Sequence, residues 1–188
     1  MIVRARQTGQ MDPHAHRDGL EAAGRRLLDV AASTADAVVP SCDGWLVRDL
    51  VGHVGTVCPR SRRWSRSGAM EPLRWSSLEP VPDDDDARLA YASSGLDRLL
   101  VALATADPTR PVWTWSPDRA TGFYFRRAHF ETLVHRVDAE LAVGDQTPLD
   151  SAASFDGVDE LYGTVLAARE APLPTGSLHL HQTDGDGG

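Results

Sequence analysis

The sequence predicts an all-α fold: an up-and-down bundle of four core helices, followed by a fifth helix and one short strand. Three observations point there. Four segments repeat apolar residues at three- and four-residue steps, the period of a helix with one buried face. Breaker-rich stretches separate them, at residues 40–44, 67–82, 107–111 and 144–148. Strand-like alternation is confined to a short stretch near the end of the chain, too little to make a sheet.

The composition narrows the function classes. With 188 residues, 41% of them hydrophobic, the chain can build one domain with a proper core. A net charge of −8 argues against a general nucleic-acid binder. All 19 basic residues are arginine, and lysine and asparagine are absent, which reads as a high-GC coding bias rather than a physical device. Cys42 and Cys58 are too few for a disulfide framework and form no CxxC, so a thiolate zinc site is not expected. No apolar run follows the N-terminal arginines, and none is long enough to span a bilayer. The expectation is a soluble cytoplasmic protein with no membrane or nucleic-acid partner, a monomer or homodimer.

Residues 1–13 are polar and unpatterned and read as a disordered extension; His14 and His16 beside it are expected in solvent. The first helix spans about residues 14–37, with Leu20, Ala23, Leu27, Val30 and Ala31 as its core stripe. The second starts near Trp45 or Leu46, capped by Ser41 or Asp43, and buries Val47, Leu50, Val51, Val54 and Cys58. Pro59 should kink or stop it after Val57. The basic run Arg60–Ser61–Arg62–Arg63–Trp64–Ser65–Arg66 suits a helix C-terminal end, with anion binding as the other reading. Residues 67–82, including Trp75, read as a long loop. The acidic run Asp83–Asp86 suits the start of a third helix, which runs to about Ala106 with Leu89, Ala92, Leu96, Leu99, Leu100 and Leu103 inward. Trp113 and Trp115 lie in an aromatic loop that either covers the bundle end or lines a cavity.

The fourth helix spans about Gly122–Val143 and stops at Gly144. Phe130, Leu133, Val134, Val137 and Leu141 form its apolar arc. Tyr124, Arg127, Glu131, His135 and Asp138 form a stripe beside that arc, and His129 points nearly opposite, towards water. Polar groups next to a core face cost free energy unless something pairs with them. Glu131 and His135, one turn apart, are either an ordinary helix pair or two metal ligands. His53, on the edge of the second helix's stripe, is either a core-edge histidine bonded to a neighbour or the third ligand. Asp138, one turn beyond His135, either orients an imidazole or pairs with an arginine. A fifth helix runs from about Ser154 to Arg169, residues 172–176 read as a linker, and Ser177–His181 is the lone strand, with His179 and His181 on one face.

Four motifs then appear in order: VPSCDGWLVRDLVGHVG (39–55), HFETLVHRVDAELA (129–142), FDGVDEL (155–161) and GSLHLHQTDGD (176–186). Together they resemble the actinobacterial maleylpyruvate isomerase family of mycothiol-dependent enzymes, within the DinB/YfiT-like metalloenzyme superfamily. The resemblance implies a bundle domain over residues 14–171 that holds a divalent metal, zinc by preference, on His53, Glu131 and His135. It implies mycothiol as thiol cofactor and an electrophilic small molecule as substrate, for isomerisation or S-transfer. Residues 172–188 correspond to a linker and the first strand of a C-terminal α/β domain that is cut short here. That favours an alternative, a non-catalytic metal-binding or ligand-sensing bundle. Two departures stand out: Pro59 in the second helix, and GHVGT (52–56) where the family has GHLGG.

Overall fold

The computed structural model describes residues 11–72 and 79–168. Residues 1–10 of the expected 1–13 extension, Trp75 and the strand at 177–181 lie outside the described residues. Among the described residues, two compact units are distinguished: Pro13–Thr114 with Asp118–Thr147, and a second that includes residues 11–12, Trp115–Pro117 and residues 148–168.

The first unit holds four helices, α1 (Pro13–Thr34), α2 (Val47–Ser67), α3 (Asp85–Ala104) and α4 (Gly122–Val143). α1 packs mainly on α4 and α3, and α2 on α3 and α4. The first two helices are therefore diagonal, and the 35–46 connection crosses one end of the bundle. In the second unit, α5 (Ser151–Glu160) runs into one π-helical stretch, Leu161–Val165, and the Met11 amide donates to Asp156 Oδ2 at 3.0 Å.

The core is apolar and continuous. Leu20, Leu27, Leu50, Leu96, Leu99, Leu103 and Phe125 are all but inaccessible to water. The expected stripes of the first two helices are buried throughout. In α3 the same holds except for Leu89, which packs against the core while half-buried. Asp84 caps α3 by accepting from the Ala87 amide, so the acidic run does open this helix. α4 ends at Gly144 at φ +71, the left-handed conformation glycine adopts without a Cβ clash.

Four expectations are corrected. α2 does not stop at Pro59 but continues to Ser67. A proline removes one helical hydrogen bond, and packing can compensate; Gly95 of α3 provides it, lying so close to the proline ring that a Cβ there would meet Cδ at 3.3 Å. Neither Ser41 nor Asp43 caps α2. Its first turn is closed by Asp49, whose Oδ2 accepts from the Leu46 amide at 2.9 Å, and Ser41 bonds elsewhere. His16 and His129 are buried, not solvated, with their Nδ1 atoms 3.2 Å apart across the α1–α4 seam. His14 is exposed as expected. Finally, the apolar arc of α4 is rotated: Val134 and Leu141 are 55% and 40% exposed, whereas Phe125, Ala128, Thr132 and Ala139 face inward.

That rotation follows from charge pairing. Glu140 of α4 is fully buried, and its carboxylate accepts from Arg26 Nε at 3.0 Å, the Thr147 amide at 3.1 Å and the Thr147 hydroxyl at 2.7 Å. Burial alone would raise its pKa. The Thr147 bonds, followed by Arg26 and Arg136, outweigh that and hold it below its ordinary 4.5.

Two predictions follow from this packing. A carboxylate with a depressed folded-state pKa stabilises above its unfolded value and loses that contribution as pH falls through the folded one. Glu140→Gln should therefore lower stability at neutral pH by about 3 kcal/mol, with a flatter stability profile below pH 4.5 than the parent in urea melts at stepped pH. A Cβ at Gly19 of α1 would lie 2.3 Å from His129 Nε2, in a buried ring that has little room to yield. Gly19→Ala should cost about 1–3 kcal/mol in the same measurement, although alanine is the better helix former.

Candidate metal centre

The three residues singled out in the sequence converge where α2 meets α4. His53 Nε2 lies 2.8 Å from Glu131 Oε1, and His135 Nε2 lies 3.6 Å from the same oxygen. One donor atom from each residue falls within 4.8 Å of the others. The cluster sits at the core boundary: the side chains of His53, Glu131 and His135 are 33%, 27% and 13% exposed. A ligand from solvent can reach it.

Each side chain is held from behind. His135 Nδ1 is 2.9 Å from Asp138 Oδ2, so the imidazole donates there and turns its Nε2 towards the cluster. Asp138 is fixed in turn by Ser41, whose hydroxyl donates to Oδ1 at 2.5 Å, with Cys42 Sγ 3.9 Å from Oδ2. Glu131 is fixed by Arg127 one turn earlier, Nη2 to Oε2 at 2.7 Å. Trp45, just before α2, closes one side. Its ring lies edge-on to His53 at 5.7 Å and stacks over His135 at 6.4 Å between centroids.

The electrostatics match this wiring. Burial would lower the His135 pKa, but its bonds to Asp138 and Glu131 outweigh burial and push it up to about 9. Burial would raise Glu131, yet His135, His53 and Arg127 together pull it far below the carboxylate range. Asp138 is lowered as well, against its own burial, by His135 and Ser41.

The donor set fits a divalent cation. Two imidazole nitrogens and a carboxylate oxygen are borderline ligands of the kind zinc takes in three-ligand sites that keep an open position. Donors at zinc bond lengths on a tetrahedron stand about 3.4 Å apart. The two separations from Glu131, 2.8 and 3.6 Å, lie either side of that value, and all three donors fall within 4.8 Å of one another. The histidine orientation through Asp138 is the arrangement that metal-ligating imidazoles use.

Sequence periodicity set Glu131, His135, Arg127 and Asp138 on one stripe of α4 and His53 at the edge of the α2 stripe, but did not find Trp45 and Ser41. Those two reach the site through the turn around Gly44 (φ +77), where the Val39 amide bonds the Trp45 carbonyl and the Val47 amide bonds that of Ala37. The Pro40–Gly44 breakers announce a turn; its landing place is a tertiary fact. Trp113 packs against Trp64 at 5.2 Å in a second apolar cluster with Val112, Phe123 and Tyr124.

Among known proteins, the family model described as the mycothiol maleylpyruvate isomerase N-terminal domain matches residues 16–140, more than half of the chain. No curated protein and no solved structure matches it.

Proposed function

The chain belongs to the mycothiol maleylpyruvate isomerase N-terminal domain family, and from that premise we propose a thiol-dependent metalloenzyme with His53, Glu131 and His135 as its metal ligands. The observation that carries the proposal is the meeting of these three donors from two helices around one point. A divalent cation held there, zinc by its donor set, supplies Lewis acidity that lowers a thiol's pKa so that it persists as thiolate at neutral pH.

The protein's own residues do the remainder. Asp138 keeps a proton on His135 Nδ1, and a cation would displace the second proton, the one on Nε2, to use that nitrogen as a ligand. Arg127 holds Glu131 in place, and the Trp45 ring excludes water from one flank. The family's name supports mycothiol as the thiol and an electrophilic small molecule as its partner. Thiolate addition to an alkene conjugated with a carbonyl makes a C–S bond and moves the π pair onto the carbonyl as an enolate. Rotation about the new single bond and expulsion of the thiolate restore the alkene as the other isomer, and protonation of the enolate carbon by water instead retains the C–S bond as S-transfer. The three ligands serve either outcome.

One observation favours a second reading, a helical bundle without metal. The Arg127–Glu131 pair and the bonds to His53 already satisfy the carboxylate. Elemental analysis separates the two. The metalloenzyme predicts about one equivalent of divalent metal in the purified protein, lost in His53→Ala and His135→Ala. Asp138→Asn should keep the fold and weaken metal affinity about 10–100-fold. A metal-free parent protein sinks the proposal. With loaded protein, mycothiol and an electrophile, turnover supports the enzyme and binding without turnover supports a sensor.

A further inference from the structure

A groove of about 400 Å³ lies between α2 and α3, on a face that the donor cluster does not use. Its α2 wall carries Arg62, Arg63 and Arg66, and its α3 wall carries Tyr91 and Arg98. Pro59, Arg62, Arg63 and Arg66 follow helical steps of three, one and three residues, so they share one face. Tyr91 and Arg98, seven residues apart, share a face of α3 in the same way. The size is that of a small-molecule site.

Four guanidinium groups around one groove are unusual in a chain of net charge −8. Elsewhere Arg25, Arg26, Arg48, Arg88 and Arg127 each bond a carboxylate, and Arg136 lies 3.7 Å from Glu140. Among the described residues, Arg62, Arg66 and Arg98 have no such partner, and Glu79 is the one carboxylate that lines the groove. Helix polarity accounts for Arg66 alone, in the last turn of α2. Arg62 is more than a turn earlier, and Arg98 sits within α3, where the dipole offers nothing. Gathering like charges costs Coulomb energy that an anion would remove. Guanidinium groups suit that role because their planar forks bond phosphate or carboxylate oxygens in pairs.

We infer that this groove binds a small organic polyanion, carrying phosphate groups or several carboxylates, through Arg62, Arg66 and Arg98. A groove closed by two helices, in an acidic protein, favours a small molecule over nucleic acid. The site is independent of the metal centre.

Isothermal titration calorimetry at constant ionic strength tests this, with tripolyphosphate and citrate as separate probes of the full chain. Saturable one-to-one binding of tripolyphosphate assigns the phosphate class, and binding of citrate alone assigns the carboxylate class. In either case Arg98→Gln should weaken binding about tenfold, and Arg62→Gln with Arg98→Gln should abolish it. Both side chains are on the surface of the bundle, and circular dichroism and metal content should be unchanged in these variants. Failure of both probes to bind, or variants that bind as tightly as the parent, overturns the inference.

Discussion

The molecule depends on one constraint: α4 turns charged and polar groups inward, and its buried carboxylates and His129 are met there by partners from other elements. Arg126, His129, Thr132, Asp138 and Glu140 are all buried on this helix. An ionised group stripped of water is tolerated only when charge and hydrogen bonds replace the water. The rest of the bundle answers that demand. α1 sends Arg26 to Glu140 and His16 to His129. α2 sends His53 to Glu131, and the connection between them sends Ser41 to Asp138. The helix at the heart of the fold is therefore held by specific pairs as much as by apolar contact, and at the candidate site these pairs open to solvent.

This pairing also explains how the site is divided. Glu131 meets two imidazoles on one oxygen and a guanidinium on the other. Its charge is shared between a fixed cation from its own helix and whatever occupies the space between the histidines. Asp138 is a step removed and acts only through His135. The Trp45 ring gives the donors a dry flank, which strengthens every electrostatic interaction beside it. The family to which the chain belongs makes sense of this expense, because a bundle with no ligand to hold has less reason to keep a carboxylate and two imidazoles at its core edge.

Much of this was legible in the sequence, and the failures are instructive. Periodicity found the helices, the core stripes of α1 and α2, and the three donors, because those depend on local spacing. The same method misread α4. Leu133, Val134, Val137 and Leu141 look like a core stripe, but the helix rotates to bury Glu140 and His129 instead, since their partners wait on α1. A buried His16 was invisible for the same reason: its partner is 113 residues away. Pro59 reads as a stop signal until Gly95 is known to lie against its ring. What was missed depended in each case on a second helix supplying a compensation that no local window contains.

The diagonal placement of α1 and α2 has a consequence for the life of the chain before it is complete. The bonds that shape the site join residues far apart: 78 positions separate His53 from Glu131, and 97 separate Ser41 from Asp138. A ribosome that has released only the first three helices has supplied none of the α4 side chains of this cluster. The cluster therefore assembles only after translation has delivered the fourth helix, and until then His53 lacks its carboxylate partner.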